Sequence, residues 1–168
     1  MTHSTRSALV RRIRIWLVLF IIGLALSGLT AFPLERETTV LNRIFHVAPN
    51  PPAEGESALQ TWLRRVHEGV AVTNRDYPFM AYGTDWLAFG HLVIAISFIG
   101  PLLHPVRNKW VLHYGLIACA GVIPLAFIAG PIRGIPFYWR CIDSCFGIFG
   151  AIPLLICLRD VRKLENLA

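Results

Sequence analysis

Charged residues are scarce in this sequence, which argues against an ordinary soluble domain. Asp, Glu, Lys and Arg make up 15% of the 168 residues, whereas soluble domains carry roughly 25%. The apolar residues form four continuous runs, each close to the roughly 20 residues that a membrane-spanning helix needs. These runs are Ile15–Phe32, Trp86–Leu103, Trp110–Gly130 and Phe137–Leu158. They predict an all-α integral membrane protein, in which residues 1–168 form a single membrane domain with a bundle of four transmembrane helices.

Several chemical signatures are missing as well. The sequence has no glycine-rich phosphate loop, no His-Glu-x-x-His pattern and no Cys-x-x-Cys pattern. Its four cysteines, Cys119, Cys141, Cys145 and Cys157, all lie in predicted membrane helices, and the long polar segment contains none. We therefore expect no disulfide framework.

Basic residues outnumber acidic ones and flank the apolar runs. The formal net charge is +6, and the flanking positions predict contact with lipid head groups rather than with nucleic acid. Basic stretches precede the first run (Arg6–Arg14), join the second to the third (His104–Lys109) and follow the fourth (Arg159–Lys163). The positive-inside rule then predicts cytoplasmic N and C termini. The small size and the dense arginine flanks indicate a bacterial inner (plasma) membrane.

The first apolar run allows two interpretations. A basic start followed by an apolar run is typical of a cleaved signal peptide. The run is long for that purpose, and the small residues Gly23, Ser27, Thr30 and Ala31 fall on one helix face. Small residues at this spacing let another helix approach closely. A retained transmembrane helix that ends at Pro33 is therefore the preferred interpretation.

Residues 34–83 form the one sizeable polar segment, and we expect it outside the membrane. Apolar residues at helical spacing predict two short amphipathic helices, separated by a break at Asn50-Pro51-Pro52. Ser57 and Gln60 form a capping-box pattern at the start of the second helix. The helices would lie on the outer membrane surface or, alternatively, form a lid over a ligand pocket.

Polar side chains collect near the predicted outer ends of the second and fourth runs. Asp85 and His91 lie in or beside the second run, Arg140 and Asp143 in the fourth, and Arg133 in the turn before it. Ionisable groups are costly inside a bilayer, so each needs a partner or water. A rise of about 1.5 Å per residue places His91 and Asp143 at similar depths. We therefore expect these five residues to form a cluster that binds an anionic or polar ligand.

The same five residues have a structural alternative, in which they pair with one another and hold two helices together. A haem held by two histidines is not expected, because His91 and His113 should differ in depth by more than about 10 Å in a core about 30 Å thick. A metal site formed by His91, Asp85 and Asp143 is a weak sequence signal. Neither a cofactor nor a metal is therefore predicted.

The sequence favours a non-catalytic inner-membrane protein. It would bind a lipid, a small ligand or a partner through its outer side, or serve as an accessory subunit of a larger complex. The small-residue faces suit association with a membrane-protein partner or a second copy. The alternative is a membrane-embedded enzyme or a proton-coupled carrier, with His91 and Asp143 as acid and base. The sequence shows no inverted repeat of the kind typical of secondary transporters.

Overall fold

The computed structural model describes residues 3–48 and 54–166, and over these ranges the chain contains helices and turns but no β-strand. The predicted break at Asn50-Pro51-Pro52 lies outside the described residues. A 3₁₀ turn, Pro78–Ala81, leads directly into the fourth α-helix. The described α-helices are α1 (His3–Ala31), α2 (Leu34–Ile44), α3 (Ala58–Asp76), α4 (Tyr82–Ser97), α5 (Ile99–Leu103), α6 (Lys109–Ile132) and α7 (Phe137–Glu165).

Four helical stretches in the described part of the chain are long and apolar enough to cross a membrane. They are Thr5–Ala31, Pro78–Leu103, Lys109–Ile132 and Phe137–Glu165. This confirms the prediction of an all-helical, multi-pass membrane protein with four spanning helices. α1 and α7 are longer than the apolar runs that predicted them, and their extensions carry basic residues whose long side chains can reach the polar interface.

By its internal contacts the chain divides into two compact units, which are described separately. The first unit contains the chain up to Gly23 together with Ile94 and the residues after it, and the second contains Leu24–Val93. The first unit therefore combines the start of α1 with α5, α6 and α7. The second combines the end of α1 with α2, α3 and most of α4. A single domain over the whole chain stays a prediction.

The core of the first unit lies where α1, α6 and the last turns of α7 meet. The ring of Phe20 on α1 lies 4.7 Å from the ring of Phe98, which precedes α5. The exposed side of the same α7 turns carries basic residues, so this end of α7 is amphipathic. The buried core residues are Ile13, Leu17, Phe98, Leu112, Leu154, Cys157, Leu158, Val161 and Leu164.

Small residues bring α6 and α7 close together. Gly147 on α7 faces the backbone carbonyl of Cys119 on α6, and no space is left for a Cβ atom. A methyl group at Gly115 would come within 2.7 Å of the Leu154 Cδ1 atom. The buried Ser144 hydroxyl donates a hydrogen bond of 2.9 Å to the carbonyl four residues earlier, so it needs no other partner. Ser144 and Gly147 share one face of α7 and are both buried, and Gly147 lies against α6.

The second spanning stretch is interrupted before its end. α4 stops at Ser97, and α5 starts two residues later. Pro101 has no N–H to donate to the carbonyl four residues earlier, which explains the break at this position. The Asn108 side chain adds a second donor to two carbonyls that already accept backbone N–H groups, because its Nδ2 donates to Gly100 at 3.0 Å and to His104 at 3.1 Å.

In the second unit, α2 and α3 pack against each other. The Ser57 hydroxyl accepts from the Gln60 N–H at 3.2 Å, and the Gln60 Oε1 accepts from the Ser57 N–H at 3.0 Å. The predicted capping box is therefore confirmed. Between the helices, the hydroxyl of the buried Thr38 lies 2.9 Å from the Nδ1 of His67, so a polar contact fixes the register of the pair.

The end of α1 approaches α4 in this unit at Gly28. A methyl group at Gly28 would come within 2.8 Å of the His91 Cβ and 2.9 Å of the Ala88 carbonyl oxygen. By contrast, a Cβ atom at Gly23 would have no neighbour within 4 Å among the described residues outside its own stretch of α1. Within this unit the glycine that contacts α4 is Gly28, and the close approach predicted for the face that begins at Gly23 stays a prediction.

Candidate functional site

Arg140 is held against aromatic side chains in the first turn of α7. Its guanidinium carbon lies 5.3 Å from the centre of the Phe137 ring and 6.0 Å from the centre of the Phe127 ring. Both distances fall within the roughly 6 Å at which a cation is attracted to an aromatic face. Gly130, near the end of α6, leaves room for the arginine stem, because a methyl group there would come within 2.8 Å of the Arg140 Cγ. The helix pair therefore fixes this side chain.

The hydrogen-bonding capacity of Arg140 is not used up within the described part of the chain. Its Nε is buried and has no hydrogen-bond partner there. The four ion pairs found among residues 3–48 and 54–166 do not include Arg140. A buried donor without a partner costs about 1–3 kcal/mol. An anion would reach the guanidinium at its Nη atoms, because the Nε itself is covered by protein atoms.

Arg133 belongs to the same end of the α6–α7 pair. It follows the last residue of α6 and is exposed. The turn is tight, since the Ile135 N–H donates to the Gly130 carbonyl at 2.9 Å. Gly134 has a φ of +69°, a conformation that glycine adopts at little cost. The turn therefore brings Arg133 and Arg140 to one end of the helix pair.

Asp143 lies on α7, nearly one turn beyond Arg140, and is half-buried. It takes no part in the ion pairs of the described residues. A carboxylate at this position in a spanning helix is costly unless it is protonated, hydrated or paired. Asp143 can therefore contribute an acidic group to chemistry at this end of α7, or a second polar contact to a bound ligand.

Asp85 and His91 lie on α4 in the second unit. Asp85 is half-buried in the first turn, where the partial positive charge of a helix N-terminus favours a carboxylate. The His91 Nδ1 lies 2.8 Å from the carbonyl oxygen of Leu87. A carbonyl can only accept, so in the neutral ring Nδ1 carries the proton and Nε2 keeps a lone pair.

The joint cluster of five residues stays a prediction. Arg133, Arg140 and Asp143 belong to the first unit, while Asp85 and His91 belong to the second. Within the first unit, Arg133 and Arg140 lie at the α6–α7 turn, and Asp143 lies nearly one helical turn further along α7. These three side chains make no ion pair with one another in the described structure.

A polar contact that the sequence did not reveal lies at the other end of α7. Asp160 is fully buried, and its carboxylate accepts two hydrogen bonds from the Nε and Nη2 of Arg12 on α1. One turn away, the Cys157 thiol donates to the carbonyl of Ile13 at 3.6 Å. One sequence signal was present, because Asp160 lies four residues before Leu164 and therefore on the apolar stripe of α7.

The cysteines and the acidic residues do not assemble into a metal centre in the described structure. No group of three or more His, Cys, Asp or Glu residues is placed to hold an ion over residues 3–48 and 54–166. All four cysteines are free thiols, and Cys157 is the buried one. The Cys145 thiol donates to the Cys141 carbonyl at 3.3 Å, which occupies it within its own helix.

The fold and the polar sites together define the class of this protein. It is an all-helical, multi-pass membrane protein with ionisable side chains near the ends of its spanning helices. Comparison of the chain with protein-family models, with curated proteins and with solved structures finds no significant match. The chemistry of the Arg133 and Arg140 turn therefore carries the functional conclusion.

Proposed function

We propose that the protein is a non-catalytic membrane protein that binds a small anionic ligand at the α6–α7 turn, with Arg133 and Arg140 as donors. The observation that carries the proposal is the Arg140 guanidinium, which is supported by two aromatic rings and has a buried Nε without a hydrogen-bond partner in the described structure. A guanidinium presents a planar fork of N–H donors that matches a carboxylate or a phosphate.

The aromatic support favours binding because it orders the arginine before the ligand arrives. A free arginine side chain carries about 2 kcal/mol of rotamer entropy, part of which is lost on binding. In this site the rings of Phe127 and Phe137 already restrict the side chain. A ligand that reaches Arg140 therefore gains a charge-assisted hydrogen bond, worth about 1.5–3 kcal/mol, with little further ordering cost.

In the proposed topology both termini are cytoplasmic, so the α6–α7 turn and the α2–α3 segment face the outside of a bacterial inner membrane. The arginines that begin α1 and the exposed basic side chains that end α7 support this threading. Tyr138 and Trp139 beside the turn are residues typical of a membrane interface. The apolar Val40 and Ile44 on α2 are more than half exposed, at 51% and 61%, which supports interfacial helices on the outer surface.

Lateral association is part of the same proposal. At Gly121 on α6 and at Gly90 on α4, a Cβ atom would have no neighbour within 4 Å among the described residues outside its own stretch of helix. Open small residues on spanning helices leave room for a helix of another chain. The partner would be a membrane protein in a larger complex, to which this chain is an accessory subunit, or a second copy of this chain.

The test is ligand-induced stabilisation of the purified protein in neutral detergent, with inorganic phosphate and succinate as probes. Stabilisation by a ligand rises with its concentration relative to Kd. We expect at least one probe to raise the unfolding temperature. We expect Arg140→Gln to weaken its apparent affinity about 10- to 150-fold, the equivalent of one charge-assisted hydrogen bond.

Arg159→Gln is the matched control, because this substitution removes the same charge from an exposed position elsewhere on α7. The control should leave the probe response unchanged. The proposal fails if neither probe stabilises the protein, or if Arg140→Gln and Arg159→Gln weaken the response equally. In the second case the anions bind the general positive charge rather than this turn.

A second candidate function, a membrane-embedded enzyme or proton-coupled carrier that uses His91 and Asp143, is favoured by the free lone pair on the His91 Nε2. It requires water or substrate to reach that nitrogen. A cysteine at Ala88, one turn earlier on α4, would be fully buried and could not report access from outside. His91→Cys is therefore the accessibility probe. Labelling of His91→Cys by a membrane-impermeant maleimide, above the background of the four native thiols, supports this candidate. Complete protection contradicts it.

A further inference from the structure

The polar end of α1 carries an open groove that the proposed ligand site does not involve. The groove has a volume of about 780 Å³, within the range of roughly 300–1,000 Å³ that is usual for ligand sites. One end of its lining is basic and the other is aliphatic. The lining residues are Arg6, Ser7, Val10, Arg11, Arg14, Ile15, Val18 and Leu19.

One of the four arginines at the start of α1 forms an ion pair with α7, and the other three line the groove. Arg12 turns towards α7 and forms the ion pair with the buried Asp160. Arg6, Arg11 and Arg14 are exposed and line the groove, and none of them takes part in the four ion pairs of the described residues. The groove is therefore a concentration of positive charge without a counter-charge in that part of the chain.

The aliphatic half of the groove continues along α1 into its spanning part. Ile15 and Leu19 are more than half exposed, at 53% and 55%, while Ile13 and Leu17 on the opposite face are fully buried in the core of the first unit. The described part of the chain leaves this second face of α1 uncovered. In a bilayer it meets lipid tails.

We propose that this groove binds one anionic phospholipid. Its head-group phosphate would accept hydrogen bonds from Arg6, Arg11 and Arg14, and one acyl chain would lie along Ile15 and Leu19. Guanidinium groups bind phosphate in a forked geometry, and arginines beside a spanning helix favour anionic lipids. A soluble anion would use the basic end alone and would leave the aliphatic end without a partner.

The test is native mass spectrometry of the full chain in neutral detergent, titrated with phosphatidylglycerol or with phosphatidylcholine of the same acyl chains. We expect one phosphatidylglycerol to bind in preference to phosphatidylcholine. The variant Arg6→Gln/Arg11→Gln/Arg14→Gln should lose about fivefold in affinity for each arginine removed. Its unfolding temperature should stay close to that of the unmodified protein, because the Arg12–Asp160 pair is intact.

The matched control is Arg159→Gln/Arg162→Gln/Lys163→Gln, which removes the same charge from the exposed face at the end of α7. This control should keep the lipid preference. Equal loss in the two triple variants would overturn the proposal, because the lipid would then respond only to net charge. Displacement of the lipid by inorganic phosphate at a concentration matched to the lipid would also overturn it, because the acyl chain would then contribute nothing.

Discussion

Removal of Arg12 tests how the first and last spanning helices are held together. In Arg12→Leu, the carboxylate of Asp160 keeps its fully buried position between α1 and α7 but loses both of its charged donors. The Arg12 side chain is half exposed, so the cost comes from the fully buried carboxylate of Asp160, which would lose its donors. A buried acceptor without a hydrogen-bond partner costs about 1–3 kcal/mol. We therefore expect Arg12→Leu to lower the free energy of unfolding by that amount.

The assay is reversible unfolding of the purified protein in detergent, followed by far-ultraviolet circular dichroism as the fraction of a denaturing detergent increases. Arg14→Leu is the matched control, since Arg14 is exposed on the same helix and outside the ion pairs of the described residues. An exposed substitution of this kind should stay within about 0.5 kcal/mol of the unmodified protein.

The double variant Arg12→Leu/Asp160→Leu completes the cycle. With both charges replaced by apolar groups, no carboxylate remains to be desolvated, and most of the stability should return. The coupling energy between the two positions should therefore be opposite in sign to the sum of the effects of Arg12→Leu and Asp160→Leu and nearly as large. If Arg12→Leu costs no more than Arg14→Leu, or if the double variant is as unstable as Arg12→Leu, the buried pair does not hold α1 against α7.

Three further predictions follow from the described contacts. Gly28→Leu should destabilise the protein, because a Cβ atom at Gly28 would lie 2.8 Å from the Cβ of His91 on α4. Gly23→Leu should not, because a Cβ atom there has no described neighbour within 4 Å. A thermal melt of both variants checks this. Ser57→Ala should cost about 1 kcal/mol through loss of the α3 cap, seen as faster amide hydrogen exchange in the first turn of α3 with unchanged exchange in α6. A reporter domain fused at Gln60 should be exported, and a cytoplasmic reporter would contradict the proposed topology.

The spanning helices could be predicted from the sequence because their signal is local. A continuous apolar run is long enough to specify a helix by itself, and the capping box needs only Ser57 and Gln60. These features depend on residues that are close together in the chain, and no knowledge of the tertiary fold is required to find them.

The contacts that the sequence did not predict join residues that are far apart in the chain. Arg12 and Asp160 are separated by 148 positions. Arg11 and Arg14, the charged neighbours of Arg12, take part in none of the ion pairs found among the described residues. The choice of Arg12 over its neighbours depends on which face of α1 meets α7. In the same way, the closest approach to α4 occurs at Gly28, since helix rotation decides which of several small residues lies at the contact.

The pairing of α1 with α7 also constrains how the protein is made. The first spanning helix leaves the ribosome long before α7 is synthesised. During that time Arg12, Ile13 and Leu17 lack the residues that they contact in the folded protein. Their contacts can close only after the final turns of α7, with Asp160, have emerged. The assembly of this unit is therefore post-translational, and a chain that stalls before its last helix leaves α1 without its native neighbour and open to quality-control proteases.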